Sequence, residues 1–160
     1  MFFVVDANVL IDFIEVDEAF LTLAVRHLGP IHVPRDMLDE VSRLDEARCD
    51  RLGLTIAEGT VEQLLEAGAT HGPLSYYDRL CFILARDQGW ICVTNDRRLR
   101  RECEAFDIDV MWGLQMILGV LDAGGIDAAS TLELGEAMVA NNAWIAGAVL
   151  RRFREKVAGR

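Results

Sequence analysis

The chain has 160 residues, enough for one domain with a proper core, and its 52% hydrophobic content with a mean hydropathy of +0.21 excludes disorder. A formal charge of −10 excludes a generic nucleic-acid coat protein, because phosphate neutralisation needs clustered cations. The longest apolar stretch, Val110–Leu121, is too short to span a bilayer, and MFFVVD lacks the basic start of a signal peptide. Cys49, Cys81, Cys92 and Cys103 show no CxxC spacing and read as buried free thiols in a reducing cytosol, so a cytoplasmic protein without a membrane partner is expected.

The chain opens on FFVVDANVLIDF, four apolar residues running into Asp6. A short continuous run rich in Val and Phe predicts a strand buried on both faces, which delivers Asp6 to the C-terminal edge of a sheet, where open α/β sheets bind ligands. Helix capping by Asp6 or Asn8 is the plainer use of these residue types. Val9–Val16 and Glu18–Leu28 read as helices, the second ended by Gly29-Pro30. Ile31–Val33 is a short strand, and Pro34 is expected to open a helix running to about Ala47. Leu52–Ile56 reads as another strand and Thr60–Gly68 as a helix capped by Thr60 and stopped at Gly68. His71-Gly72-Pro73 breaks the chain. Ser75–Gln88 is a helix ended by Gly89, Trp90–Thr94 a buried strand, Arg97–Ala105 a helix and Ile108–Trp112 a further strand. This alternation predicts an α/β fold, a parallel sheet with helices on both faces. Residues 113–160 form a helical extension of the same single domain, 1–160. It ends in one long helix, Leu132–Val157, whose stripe of Leu134, Met138, Ile145, Val149 and Phe153, with Trp144 alongside, packs on the domain or faces a partner.

Three further acids share the logic of Asp6. In PRDMLDEVSRL, Met37, Val41 and Leu44 mark the buried face of the helix, and Glu40 lies about 40° from Leu44, on the border of that face, with Asp36 and Asp39 further into solvent. In LSYYDRLCFILA, Ser75-x-x-Asp78 is a capping-box pattern, yet Asp78 shares its face with Cys81, Phe82 and Ala85. In WICVTNDRRLR a buried strand again ends in a polar step, with Asn95 or Asp96 as a cap and Asp96 as the candidate acid. Helix N-termini favour ionised carboxylates, but several of them in one pocket need a counter-charge. Clustered oxygen donors with no His or Cys beside them suit Mg2+ or Mn2+, which activate water and neutralise a phosphodiester. Arg97, Arg98, Arg100 and Arg101 follow directly and would hold phosphates, although a solvated helix face is the commoner use of such a run.

VVDANVLIDF, VPRDMLDEV, LSYYDRLCFILA and VTNDRRLR, in this order, resemble the four acidic motifs of PIN-domain ribonucleases, in particular the VapC-like toxins of toxin–antitoxin pairs, over about the first 120 residues. The resemblance implies a PIN-like three-layer α/β/α sandwich and a Mg2+- or Mn2+-dependent endoribonuclease. Such an enzyme is usually a homodimer and is often silenced by an antitoxin. It implies Asp6, Glu40, Asp78 and Asp96 as the metal-binding carboxylates, and Asn8 and Thr94, with Asn95, as supporting groups that orient ligands or water. The C-terminal extension goes beyond what many such toxins have.

Other classes fit less well. Receiver-type and dehalogenase-type phosphotransfer domains hold the phosphoryl group with a lysine, but Lys156, the only one, lies near the end of the chain, and no DxDx[TV] sequence occurs. There is no GxSxG, and His27, His32 and His71 pair with no nucleophile motif. The remaining alternative is a non-catalytic PIN-like module that binds RNA or a protein, against which the retention of all four like-charged acids argues.

Overall fold

Phe3, Val4 and Val5 of β1 (Phe3–Val5) are all shielded from solvent, and a strand buried on both faces belongs inside a sheet. The structure, a computed structural model, describes residues 1–69, 72–142 and 145–160. It places β1 at the centre of a five-stranded parallel sheet. β2 (Ile31–Pro34) and β4 (Ile91–Val93) flank β1, and β3 (Thr55–Ala57) and β5 (Val110–Met111) form the edges. The spatial order is β3-β2-β1-β4-β5, with Phe3 opposite both Ile31 and Ile91, and Val5 opposite Val93.

Helices α1 (Ala7–Asp17), α2 (Ala19–Leu28), α3 (Met37–Glu40), α4 (Glu46–Leu52), α5 (Val61–Ala69), α6 (Tyr76–Gln88) and α7 (Arg97–Ala105) alternate with the strands and flank the sheet, the expected α/β arrangement. Thr60 and Gln63 cap α5 reciprocally, the Thr60 amide donating to Gln63 Oε1 (3.0 Å) and the Gln63 amide to Thr60 Oγ1 (3.3 Å). Gly89 ends α6 in the left-handed region at φ +66°, where a side chain would be strained. All four cysteines are buried and free. Among the described residues no helix is long and apolar enough to cross a membrane.

Three expectations are corrected. Pro34 does not open a helix; it ends β2, where its missing N–H costs no ladder bond and the next amide, Arg35, donates to the Ala57 carbonyl at 3.0 Å. The expected helix to Ala47 is instead the four-residue α3, an extended Val41, Arg43 at φ +71° and a new helix, α4. Asp45 starts α4 by accepting from the Arg48 amide at 2.7 Å, so a cap in mid-pattern overrides the apolar spacing. Gly68 lies inside α5 rather than stopping it.

The long terminal helix is the third. Residues 113–160 form α8 (Gly113–Asp122), α9 (Ala128–Asn141) and α10 (Gly147–Ala158). Asn142 leaves helical geometry at ψ +96°, and Asn141 and Asn142 direct their side-chain amides to Glu15 (3.0 Å) and Asp12 (2.7 Å). Leu134 and Met138 on α9 and Phe153 on α10 are nonetheless buried, because the two helices pack on each other and α9 packs on α1. His71 of the expected chain break and Trp144 of the expected stripe lie outside the described residues.

Candidate active site

The chain lays out β2 and β3 on one side of β1 and then β4 and β5 on the other, so the strand order reverses between β1 and β4. Such a reversal leaves a crevice beyond the carboxyl ends of the two strands. Asp6 follows β1 at this point, and Thr94, Asn95 and Asp96 follow β4.

Asp6 is fully buried. Its amide donates to the Val93 carbonyl at 3.0 Å, extending the sheet by one rung. Oδ1 accepts from the Val9 amide at 2.8 Å, which caps α1, and Oδ2 accepts from the Thr94 hydroxyl. Burial pushes the Asp6 carboxyl up to about 7 against the pull of those two hydrogen bonds, and the nearby charges of Asp78 and Asp96 push the same way. Thr94 Oγ1 also accepts from the Asp96 amide at 3.0 Å, so one hydroxyl joins the ends of both strands.

Asp96 caps α7, with Oδ1 accepting from the amides of Arg98 (2.6 Å) and Leu99 (3.1 Å). Asp78 completes a capping box at the start of α6: its Oδ2 accepts from the Ser75 amide (3.2 Å) and hydroxyl (2.8 Å). Capping thus occupies one oxygen of each acid and leaves Asp78 Oδ1 and Asp96 Oδ2 without a hydrogen bond among the described residues. No arginine or lysine among the described residues pairs with Asp6, Asp78 or Asp96.

Glu40 is exposed at the end of α3, and the acid of this stretch that turns inward is Asp36, which is half-buried and accepts from the Tyr76 hydroxyl at 2.6 Å. This reverses the expected exposures. The helical wheel was anchored on Leu44, which lies beyond the end of the four-residue α3. Asn8 is exposed on the first turn of α1. Arg97, Arg98 and Arg101 are exposed and make no ion pair among the described residues. Arg100 differs: its guanidinium lies 4.2 Å from the Trp112 ring centre and 3.7 Å from Glu104, with Nη1 buried and unpartnered. Ser75, Tyr76, Asp36 and Trp112 were not expected at this edge; only Ser75 carried a signal, the capping box.

The donor set fits a hard divalent cation: carboxylate oxygens, two of them open, with no imidazole beside them. Among the described residues no three His, Cys, Asp or Glu side chains converge as a ready-made cage. Mg2+ needs none, since it keeps several waters and takes one or two carboxylates.

No protein-family model matches the chain, and no curated protein sequence matches it. Among solved structures, a PilT N-terminus (PIN) domain protein from the hyperthermophilic archaeon Sulfolobus solfataricus P2 is similar, with a TM-score of 0.56 over 76% of this chain and 95% of that chain at 10% sequence identity. At that identity the likeness is one of fold: the chain is an α/β sandwich of the PIN type.

Proposed function

We propose that this chain is a Mg2+- or Mn2+-dependent endoribonuclease that hydrolyses RNA phosphodiesters at the carboxyl ends of β1 and β4. The observation that carries the reading is a set of acids without a counter-charge among the described residues: Asp6 is buried beyond β1 and raised to about 7, the charges of Asp78 and Asp96 push it the same way, and no Lys or Arg among those residues pairs with any of the three. Asp6, Asp78 and Asp96 would hold the cation, and Glu40, after a side-chain movement, would serve as a further ligand or as the proton acceptor for the attacking water. The bound cation supplies neutralisation of phosphodiester charge and a more acidic water. Thr94 fixes the Asp6 carboxylate against the Asp96 backbone. Arg97, Arg98 and Arg101 are free to hold flanking phosphates of the strand. A toxin-type role, with homodimer formation and a cognate antitoxin, belongs to this reading through the order of the four acidic motifs.

The test is cleavage of labelled single-stranded RNA by purified protein with Mn2+, with a chelator, and with Asp78→Asn. Cleavage should require the metal and fall by roughly a hundred-fold or more in the variant. Metal-independent cutting, or equal cutting by Asp78→Asn, rejects the proposal. Metal-independent RNA binding without any cleavage would favour the non-catalytic module.

A further inference from the structure

Met111 lies opposite Val93 in the pairing of β5 with β4, and its carbonyl accepts from the Thr94 amide at 2.9 Å. Trp112 is the next residue, so the sheet delivers an indole to the edge that carries Asp6 and Asp96. Its amide donates to Gln115 Oε1 at 2.8 Å, which fixes the backbone at the start of α8. Trp112 is only partly buried. Among the described residues it packs neither on the hydrophobic core nor against another ring, whereas the equally half-buried Trp90 does both.

The ring meets Arg100 instead. Arg100 lies one turn beyond Asp96 on α7, its amide donating to the Asp96 carbonyl at 3.1 Å. Helical side chains lean toward the helix N-terminus, which here is back toward the sheet edge. The guanidinium carbon stands over the Trp112 ring, 4.2 Å from its centre, a cation–π contact. Its ion pair to the exposed Glu104 is long at 3.7 Å, and Nη1 is buried with no hydrogen-bond partner. The ring is therefore the main partner of this cation, and the cation backs one face of the ring.

We infer that Trp112, backed by Arg100, is a stacking platform for one unpaired base of the RNA strand. Single-stranded RNA is gripped by bases laid on aromatic rings and guanidinium planes, and every base has a π face to offer. An indole held from behind by Arg100 and at its backbone by Gln115 has little freedom left to lose on binding. Stacking also supplies affinity that needs no positive charge, which suits a chain with a net charge of −10. Arg100, expected to hold a phosphate, is assigned to the ring. The platform rests on the proposed reading that the substrate is RNA, but not on that RNA being cut.

The test measures binding of labelled single-stranded RNA, in chelator, by wild type, Trp112→Leu and Trp112→Phe. Leu keeps apolar bulk without a π face, and Phe keeps a smaller one. Trp112→Leu should weaken binding by about 5- to 150-fold and Trp112→Phe by less, with the slope of log affinity against log salt unchanged because no phosphate contact is lost. A series of oligonucleotides, each abasic at one position, locates the base: at one position the loss seen with wild type should vanish with Trp112→Leu. Equal affinity of wild type and Trp112→Leu, a loss as large in Trp112→Phe, a changed salt slope, or abasic losses that add at every position each overturns the inference. If Trp112→Leu does not fold, Trp112→Phe decides through a reduced abasic loss at that same position. Wild type that binds with this coupling but does not cut RNA with Mn2+ loses the nuclease reading and keeps the platform. Wild type that cuts without the coupling does the reverse. No binding of single-stranded RNA in chelator overturns the platform whatever cleavage shows, since stacking needs no metal.

Discussion

The Asp6 carboxyl caps α1, receives the Thr94 hydroxyl and feels two like charges, those of Asp78 and Asp96. Its elevation from 3.8 to about 7 means that the folded chain holds a proton there that the unfolded chain releases. The stabilising contribution is therefore complete below pH 3.8 and is lost as pH rises to about 7. At pH 8 the full shift corresponds to about 4 kcal/mol as an upper bound. Asp6→Asn removes the charge while keeping an oxygen for the Val9 amide, and Thr94 Oγ1 can accept from the new amide. Metal-free Asp6→Asn should therefore melt higher than wild type at pH 8 and show little gain at pH 4, as followed by thermal unfolding in chelator. A lower melting temperature at pH 8 would show that Asp6 is not held as an uncompensated charge. This residue was legible in the sequence because a buried strand ending in Asp leaves few places for the carboxylate. Asp96 was legible for the same reason. Asp12 and Asn142 were not, since their bond spans 130 positions and no local pattern announces it.

At the scale of elements, α9 and α10 meet where Gly135 gives its face to the Phe153 ring, and a Cβ on Gly135 would overlap that ring. Gly135→Ala gains helix propensity of about 1 kcal/mol but must displace a buried aromatic, three of whose ring atoms would be overlapped, which puts the cost at about 2–3 kcal/mol. The variant should melt roughly 2–6 °C below wild type by calorimetry. An unchanged or higher melting temperature would mean that α10 is loosely attached. The sequence pattern ran on through this pair as one helix because Leu134, Met138 and Phe153 keep helical spacing across the break. What ends α9 is the diversion of Asn141 and Asn142 to distant carboxylates, an interaction invisible to periodicity. The break after α3 escaped notice for a related reason: Met37, Val41 and Leu44 are all buried as expected, though only Met37 lies in that helix. Strand positions were read more closely, because short apolar runs between turn residues have one stable use in a parallel sheet, although Leu52, expected to open a strand to Ile56, ends α4 and β3 is Thr55–Ala57.

Across the whole molecule, a charge of −10 opposes any polyanion, so binding of RNA depends on where cations are left unpaired. Arg35, Arg48, Arg86, Arg154 and Arg160 are committed to acidic partners, whereas Arg97, Arg98 and Arg101 are exposed beside Asp96 without one among the described residues. Replacing these three by Ala should lower the slope of log affinity against log salt by about 2, measured on single-stranded RNA. A slope equal to that of wild type would place the binding face elsewhere. The order of the strands has a further consequence, in time rather than space. The hydroxyl that secures Asp6 lies 88 positions later in the chain, on a strand that pairs with β1 only after β2 and β3 have been made. At ~5–20 residues per second a ribosome needs on the order of 5–20 s to cross that interval. During it the newborn chain carries Asp6 without Thr94 or Asp96, and Asp78 is added only towards its end. Asp96 and Thr94 reach Asp6 only when β4 docks beside β1, and until that step no partly made copy holds Asp6 in its finished surroundings.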